Sequence, residues 1–281
     1  MVILVMNMRK LLAMLLVLEV MALTALAIDT LDVYFIDVGA GDAILVDFGG
    51  WEALLDAGRG YATTSASVLD ALREHVEDGI IELAILGHPH ADHYGGFGDV
   101  LETYEILEFW RSKDTEPDTR GPTYAKFEQA LRDAKLRLNV MECGERRYTR
   151  GLEWTVLGPD VLDTHSSNDN ENSLVLLLTY GKTHFLFVGD IECGGEATAQ
   201  NHALPNEHLV LKVAHHGSAS STSEAFLDWA NPQYAVISTS YEDPPACSTL
   251  IARGIPDYMT STHGTIRISS DGVRFEITGA R

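Results

Sequence analysis

Residues 87–96 of this 281-residue chain read GHPHADHYGG and directly follow the apolar residues 81–86. Within six positions the segment contains His88, His90, Asp92 and His93. Imidazole and carboxylate groups bind borderline divalent ions such as zinc, manganese or iron. A lone histidine is more often an ordinary core or surface residue. Four such residues at this spacing indicate a metal centre that can reach two neighbouring ions.

Further acidic and histidine residues follow other apolar runs. Asp56, Asp190 and the pair His215-His216 each stand at the end of one, and the glycine-punctuated residues 37–42 follow the first. In layered α/β folds, sites form from loops that leave strand ends, so we expect these residues to gather around HxHxDH. For Asp56 and Asp190 the alternative is the capping of a strand-end turn.

Short apolar runs alternate along the chain with segments whose apolar residues recur every three or four positions. That spacing predicts helices over residues 65–77, 124–135 and 223–229. Strands are predicted at residues 31–37, 43–48, 53–56, 81–86, 105–110, 154–157, 173–180, 183–188, 209–213, 234–238 and 273–278. The pattern is typical of an α/β architecture, and no long flexible linker divides residues 28–281.

HxHxDH after a strand, with a later strand that ends at Asp190, resembles the metallo-β-lactamase superfamily. More narrowly, six segments resemble the C-terminal hydrolase-like domain of the ComEC competence family, in order over nearly all of residues 31–278. These segments are FIDVGAGDAILV (35–46), LLDAG (54–58), GHPHADHYGG (87–96), NSLVLLL (172–178), FLFVGDIE (185–192) and LKVAHHGS (211–218). The resemblance is to the hydrolase domain alone, and predicts a free-standing, exported form of it.

The resemblance implies a four-layer αβ/βα sandwich, with two sheets face to face, helices outside and two metal ions, zinc or manganese, at one edge. By the family pattern, His88 and His90 would hold one ion and Asp92 and His93 the second, with Asp190 between them. Asp56 would orient a ligand histidine without touching metal.

The pair His215-His216 has two expected roles. We expect His215 to complete the metal ligands and His216 to act as general acid toward the leaving group, with a solvated turn as the alternative. The hydroxyl-rich residues 218–223 would contact a substrate phosphate or cap the next helix, and the cap is favoured.

The sequence departs from the family pattern at two expected ligand positions. No histidine stands just before residue 173, where the superfamily often has one; His165 lies too early, and the intervening residues include Asn168 and Asp169. Late in the chain, Glu242-Asp243-Pro244-Pro245 replaces a common Gly-His-Pro. His263 would substitute there, or that ligand position is vacant.

These residues predict a metal-dependent hydrolase. The ions would lower the pKa of a shared water so that a metal-bound hydroxide exists near neutral pH, with Asp92 orienting it. The ComEC resemblance implies phosphodiester bonds, in DNA or smaller nucleotides, as substrate. A lactonase or β-lactam hydrolase and a non-catalytic metal-binding accessory protein of DNA uptake are the alternatives.

Residues 1–27 have the pattern of a signal peptide. Arg9 and Lys10 precede an apolar run broken by Glu19 and Thr24, and Ala25-Leu26-Ala27 suits signal peptidase. We expect cleavage near Ala27, no stable membrane insertion afterwards and an extracytoplasmic location; a retained anchor and a buried core helix are the alternatives.

The composition excludes some classes of protein. Lys and Arg number 20 against 41 Asp and Glu, for a formal net charge of −21, and no basic stripe with interleaved aromatics is visible. A dedicated nucleic-acid-binding module is therefore disfavoured. The three cysteines are too few and too scattered for a disulfide framework. Nothing in the sequence indicates an oligomeric state.

Overall fold

The computed structural model describes residues 29–113, 121–162 and 169–279. The predicted signal peptide, its boundary at residue 28 and residues His165 and Asn168 lie outside these ranges and stay predictions. Within the described ranges, no helix has the length and apolar character needed to cross a bilayer.

The described residues form fifteen strands and eight α-helices. The strands are β1 (Leu31–Phe35), β2 (Ile44–Phe48), β3 (Glu52–Leu55), β4 (Ile80–Leu86), β5 (Glu105–Arg111), β6 (Arg137–Val140), β7 (Arg146–Thr149), β8 (Leu152–Gly158), β9 (Val175–Tyr180), β10 (Thr183–Phe187), β11 (Leu209–Lys212), β12 (Tyr234–Ile237), β13 (Asp257–Met259), β14 (Ile266–Ser270) and β15 (Phe275–Gly279). The helices are α1 (Ala62–His75), α2 (Ala91–Tyr94), α3 (Phe97–Thr103), α4 (Pro122–Ala134), α5 (Cys193–Ala199), α6 (Glu224–Ala230), α7 (Pro245–Ala252) and α8 (Thr260–His263).

The strands form two mixed sheets. The eight-stranded sheet has the order β15-β14-β1-β2-β3-β4-β5-β6, and the seven-stranded sheet has the order β13-β12-β11-β10-β9-β8-β7. In the first sheet, β3, β4, β5 and β6 run parallel to one another, and in the second, β10, β11, β12 and β13 do. The carboxyl ends of each parallel group therefore meet at one edge of their sheet.

Three apolar cores hold the layers together. Residues of β1 alternate between two of them, since Val33 and Phe35 pack toward the second sheet while Tyr34 packs toward the helices on the outer face. The third core joins the second sheet to α6 and α7, through residues such as Phe226 and Leu250. Because both faces of both sheets are covered, the result is the four-layer αβ/βα sandwich, which confirms the predicted fold class.

Sequence patterns predicted the long helices and the central strands better than the strands near the edges of the sheets. The three predicted helices correspond to α1, α4 and α6. The strands β6, β7, β13 and β14 were not predicted; β6 and β7 are four residues long and mostly exposed, so their sequences lack apolar alternation. Helices α2, α3, α5, α7 and α8 were not predicted either; all have eight residues or fewer, so their sequences are too short for a helical period of apolar residues to be recognised.

Candidate metal centre

The site lies at the edge where strands of both sheets end. Asp56 follows β3 and His88 follows the parallel neighbour β4, while Asp190 and His216 follow the parallel neighbours β10 and β11. The two sheets face each other, so these four side chains point into one space between them. His88 and Asp190 are 1% and 2% exposed.

The HxHxDH segment is held by the loop after β1 and the loop after β3. Helix α2 is a single turn, in which Asp92 and His93 project from adjacent positions. The backbone N–H of Asp42 donates to the Asp92 carbonyl at 3.2 Å, and that of Ala57 donates to the His93 carbonyl at 2.7 Å. A Cβ at Gly41 would lie 2.5 Å from the Asp92 carbonyl oxygen, so only glycine permits this approach.

Asp190 is the centre of the cluster. Its Oδ2 lies 3.2 Å from His93 Nε2, 3.3 Å from His216 Nε2 and 3.8 Å from His88 Nε2. His216 Nε2 is also 3.9 Å from Asp92 Oδ2. Three imidazoles thus surround one carboxylate oxygen, with a second carboxylate beside them.

Two hydrogen bonds fix the direction of the histidine rings. His93 Nδ1 lies 2.7 Å from Asp56 Oδ2, and His216 Nδ1 lies 2.9 Å from the Ser238 carbonyl oxygen. Both oxygens are acceptors, so each Nδ1 carries a proton and each Nε2 points toward Asp190. Proteins orient the histidines that bind metal ions through the same kind of contact.

Burial and charge together shift the pKa values in the cluster. Burial lowers the pKa of His88 well below its usual value, so that imidazole is neutral. Burial also disfavours the charged forms of Asp190 and His93, but their contact outweighs it: the pKa of Asp190 is well below its usual value and that of His93 well above. Burial likewise opposes a charged His216, and Asp190 overcomes it and raises that pKa.

The buried donor atoms fit a divalent metal ion. Within the described part of the chain, neither ring nitrogen of His88 makes a hydrogen bond, and neither does Asp190 Oδ1. Buried polar atoms without hydrogen bonds are rare and require an explanation. Donor atoms of His88, His93 and Asp190 lie within 4.8 Å of one another, as do those of Asp92, His93 and His216. The set of imidazoles and carboxylates suits zinc, manganese or iron.

Two predicted ligands stand apart from this cluster. The ring of His90 packs against that of His88, with centroids 4.6 Å apart, but His90 belongs to none of the close donor sets among the described residues. The ring of His215 faces Glu192, with Nδ1 3.2 Å from Oε1, and its side chain is 29% exposed. The geometry therefore favours the reverse of the roles expected for the histidine pair, with His216 as ligand and His215 at the rim.

The backbone explains why the second histidine of the pair points inward. His215 and His216 both have positive φ angles, of 47° and 53°, within a short 3₁₀ segment. This unusual path turns the two side chains in different directions. The sequence alone did not indicate it, because positive φ is uncommon for residues other than glycine.

Two residues of the site, Lys212 and Arg59, were missed in the sequence. Lys212, 1% exposed, contacts Asp42 Oδ2 at the last position of β11, where one lysine in an otherwise apolar strand signals a buried partner. Arg59 donates from Nη2 to Asp92 Oδ2 at 3.0 Å, and its side chain is 40% exposed at the rim. No feature of the local sequence marks Arg59.

Comparison with known proteins gives a family and its relatives. The family model described as the metallo-beta-lactamase superfamily matches residues 30–241. "Recombination protein 2" of Haemophilus influenzae is 32% identical over 216 residues, which cover 74% of this chain and 24% of that protein. "ComE operon protein 3" of Bacillus subtilis is 31% identical over 159 residues, which cover 56% of this chain and 20% of that protein. The chain thus spans about a quarter of the length of these relatives.

Solved structures share the fold at low identity. The metallo-beta-lactamase fold protein YhfI from Bacillus subtilis aligns with a TM-score of 0.59 and 12% identity, over 86% of this chain and all of that one. CmlA, a diiron beta-hydroxylase from Streptomyces venezuelae, aligns with a TM-score of 0.54 and 12% identity, over 86% of this chain and 54% of that one. At this identity the likeness shows the fold alone.

Proposed function

This chain belongs to the metallo-β-lactamase superfamily, and we propose that it is a metal-dependent hydrolase of phosphodiester bonds. Membership of the superfamily supports metal-dependent hydrolysis as the activity. The fold of the superfamily binds divalent metal ions, often two. One observation carries the proposal: the imidazoles of His88, His93 and His216 surround Oδ2 of the buried Asp190. Divalent ions bound there would act as Lewis acids and lower the pKa of water.

The side chains around the site have different roles in the proposed reaction. His88, His93, His216 and Asp190 would hold the ions, and Asp92, 3.9 Å from His216, would join them and accept a hydrogen bond from the attacking water. His215 lies at the rim with a partly exposed ring, where it can protonate a leaving oxygen. This assignment exchanges the roles that the sequence predicted for the two adjacent histidines.

Two features support an anionic, phosphodiester substrate. The guanidinium of Arg59 lies beside Asp92 at the open side of the cluster, where it can bind a phosphate oxygen. Two relatives are named for recombination and for competence, "Recombination protein 2" and, at 28% identity, "Competence protein ComA" of Neisseria gonorrhoeae, and on that basis DNA or smaller nucleotides are the substrates we propose. Since the net charge is −21, long nucleic acid would bind weakly at low salt unless the charge lies away from the metal face.

We also propose that the chain acts outside the cytoplasm. The support is the signal-peptide pattern in residues 1–27 together with the name of one relative, "Competence protein ComA". After cleavage near Ala27 the protein would have no stable insertion in the membrane.

The test is hydrolysis of bis(p-nitrophenyl) phosphate by the full chain, first stripped with chelator and then given Mn²⁺ or Zn²⁺. The Asp190→Asn variant loses a central metal ligand, so its turnover is expected to fall by about tenfold or more. The matched control is Asp47→Asn, which removes one charge from a half-buried aspartate on β2 outside the site and is expected to leave turnover unchanged.

The alternatives give different results. Hydrolysis of a β-lactam or a lactone without phosphodiester turnover would replace the proposed substrate class while retaining the site. Stoichiometric metal binding without turnover on any ester would instead indicate an accessory protein. Full phosphodiester activity in Asp190→Asn would refute the site itself.

A further inference from the structure

Lys212 places a buried cation directly behind the metal centre. Its ammonium contacts Asp42 Oδ2, lies 3.2 Å from the Gly189 carbonyl oxygen and lies 3.7 Å from Asp190 Oδ1. The residue is 1% exposed, and Asp42 is 2% exposed. Burying a charged lysine costs desolvation free energy unless the charge is paired. The contacts of Lys212 with Asp42, Gly189 and Asp190 must therefore offset that cost.

The two oxygens of Asp190 face different partners. Oδ2 faces the imidazoles of His93 and His216, at 3.2 and 3.3 Å. Oδ1 faces Lys212 at 3.7 Å and makes no hydrogen bond to any described residue. A cavity of about 20 Å³ beside the pair, lined by Lys212, Asp42 and Asp56 among others, has room for one water molecule that could bridge these groups.

We propose that Lys212, anchored by Asp42, is a positioning residue that fixes the Asp190 carboxylate so that Oδ2 is presented to the metal-binding imidazoles. Asp42 is itself tied to the HxHxDH segment, since its backbone N–H donates to the Asp92 carbonyl. The pair therefore links the metal ligands of the first sheet to those of the second. The proposal rests on the metal centre proposed above and does not depend on which bond is hydrolysed.

The direction in which metal affinity changes when Lys212 is removed distinguishes a positioning role from a purely electrostatic one. If Lys212 acted only through its charge, its removal would take a positive charge from beside a cation site and tighten metal binding. If it positions Asp190, its removal lets the carboxylate rotate and weakens binding. A purely structural role would lower the stability of the protein without changing the metal affinity of the folded molecules.

The experiment is a titration of the chelator-treated full chain with Co²⁺, followed by its visible absorption bands and by competition with a chromophoric chelator. For Lys212→Met we expect about tenfold weaker binding of Co²⁺ and altered bands, as for other residues that orient metal ligands. The matched control is Lys182→Met, which removes one charge at the exposed turn before β10, the end of that strand opposite Asp190. Its affinity and bands are expected to equal those of the wild type.

A second variant keeps the test decisive if Lys212→Met does not fold. Asp42→Asn/Lys212→Met removes both buried charges, so it leaves neither unpaired and does not change the net charge of the site. Positioning predicts weaker Co²⁺ binding in this variant as well. Unchanged or tighter binding in either folded variant would overturn the proposal.

The metal titration also keeps this proposal separate from the proposed activity. Absent phosphodiester turnover with the expected loss of Co²⁺ affinity would reject the substrate class and keep the role of Lys212. A wild-type protein that binds no Co²⁺ would overturn the metal centre and the role of Lys212 together.

Discussion

Replacing Asp56 with asparagine is expected to weaken zinc binding while the fold is retained. Asp56 accepts two hydrogen bonds, from the Gly87 backbone N–H at 2.7 Å and from His93 Nδ1 at 2.7 Å. The residue has a φ angle of 57°, in the left-handed region that aspartate and asparagine both tolerate. The substitution therefore adds no backbone strain, whereas Asp56→Ala would.

The asparagine has one acceptor oxygen in place of two. If that oxygen keeps the bond from Gly87, the amide NH₂ faces His93 and can donate only to an unprotonated Nδ1. That moves the ring proton to Nε2, the atom that points toward Asp190 at 3.2 Å and would bind metal. Loss of such an orienting contact weakens metal binding by about 10- to 100-fold, or about 1.4–2.7 kcal/mol.

The assay is competition for Zn²⁺ between the protein and a chromophoric chelator, with circular dichroism to show that the variant is folded. Asp47→Asn makes the same change of charge outside the site and is expected to keep wild-type affinity. An affinity of folded Asp56→Asn within about threefold of the wild type would refute the tautomer argument.

Two other predictions concern the histidine pair and the pH dependence of stability. His216→Asn should lose both Zn²⁺ affinity and turnover, whereas His215→Asn should keep its affinity and lose turnover by about 100-fold or more; equal losses of affinity would contradict the assignment. Burial is the main cause that raises the pKa of Glu52 to about 8, and the neighbouring Glu82 is the next. Between the ordinary pKa of glutamate and that value, the folded protein holds a proton that the unfolded chain releases. The free energy of unfolding therefore falls as pH rises through this range. In urea unfolding, the free energy of unfolding of Glu52→Gln should rise relative to that of the wild type by about 1–2 kcal/mol between about pH 5 and pH 8, after allowance for solvent screening. A difference between the two proteins that does not change with pH would argue against the raised pKa.

The sequence by itself determined the fold class and most of the residues of the candidate metal centre. Alternating and continuous apolar runs predicted the central strands, because residues buried on both faces of a sheet must be apolar along their whole length. The HxHxDH segment is local, so its spacing alone places several ligand types together. Asp56 and Asp190 were found for a related reason, since each stands where an apolar strand ends.

Only the tertiary structure decided which of the neighbouring side chains enter the cluster. The choice of His216 over His215 depends on two positive φ angles and on the Ser238 carbonyl, 22 residues away in sequence. The pairing of Lys212 with Asp42 joins residues of opposite sheets. Such contacts arise from the packing of one sheet on the other, and no local pattern of propensity or spacing encodes them.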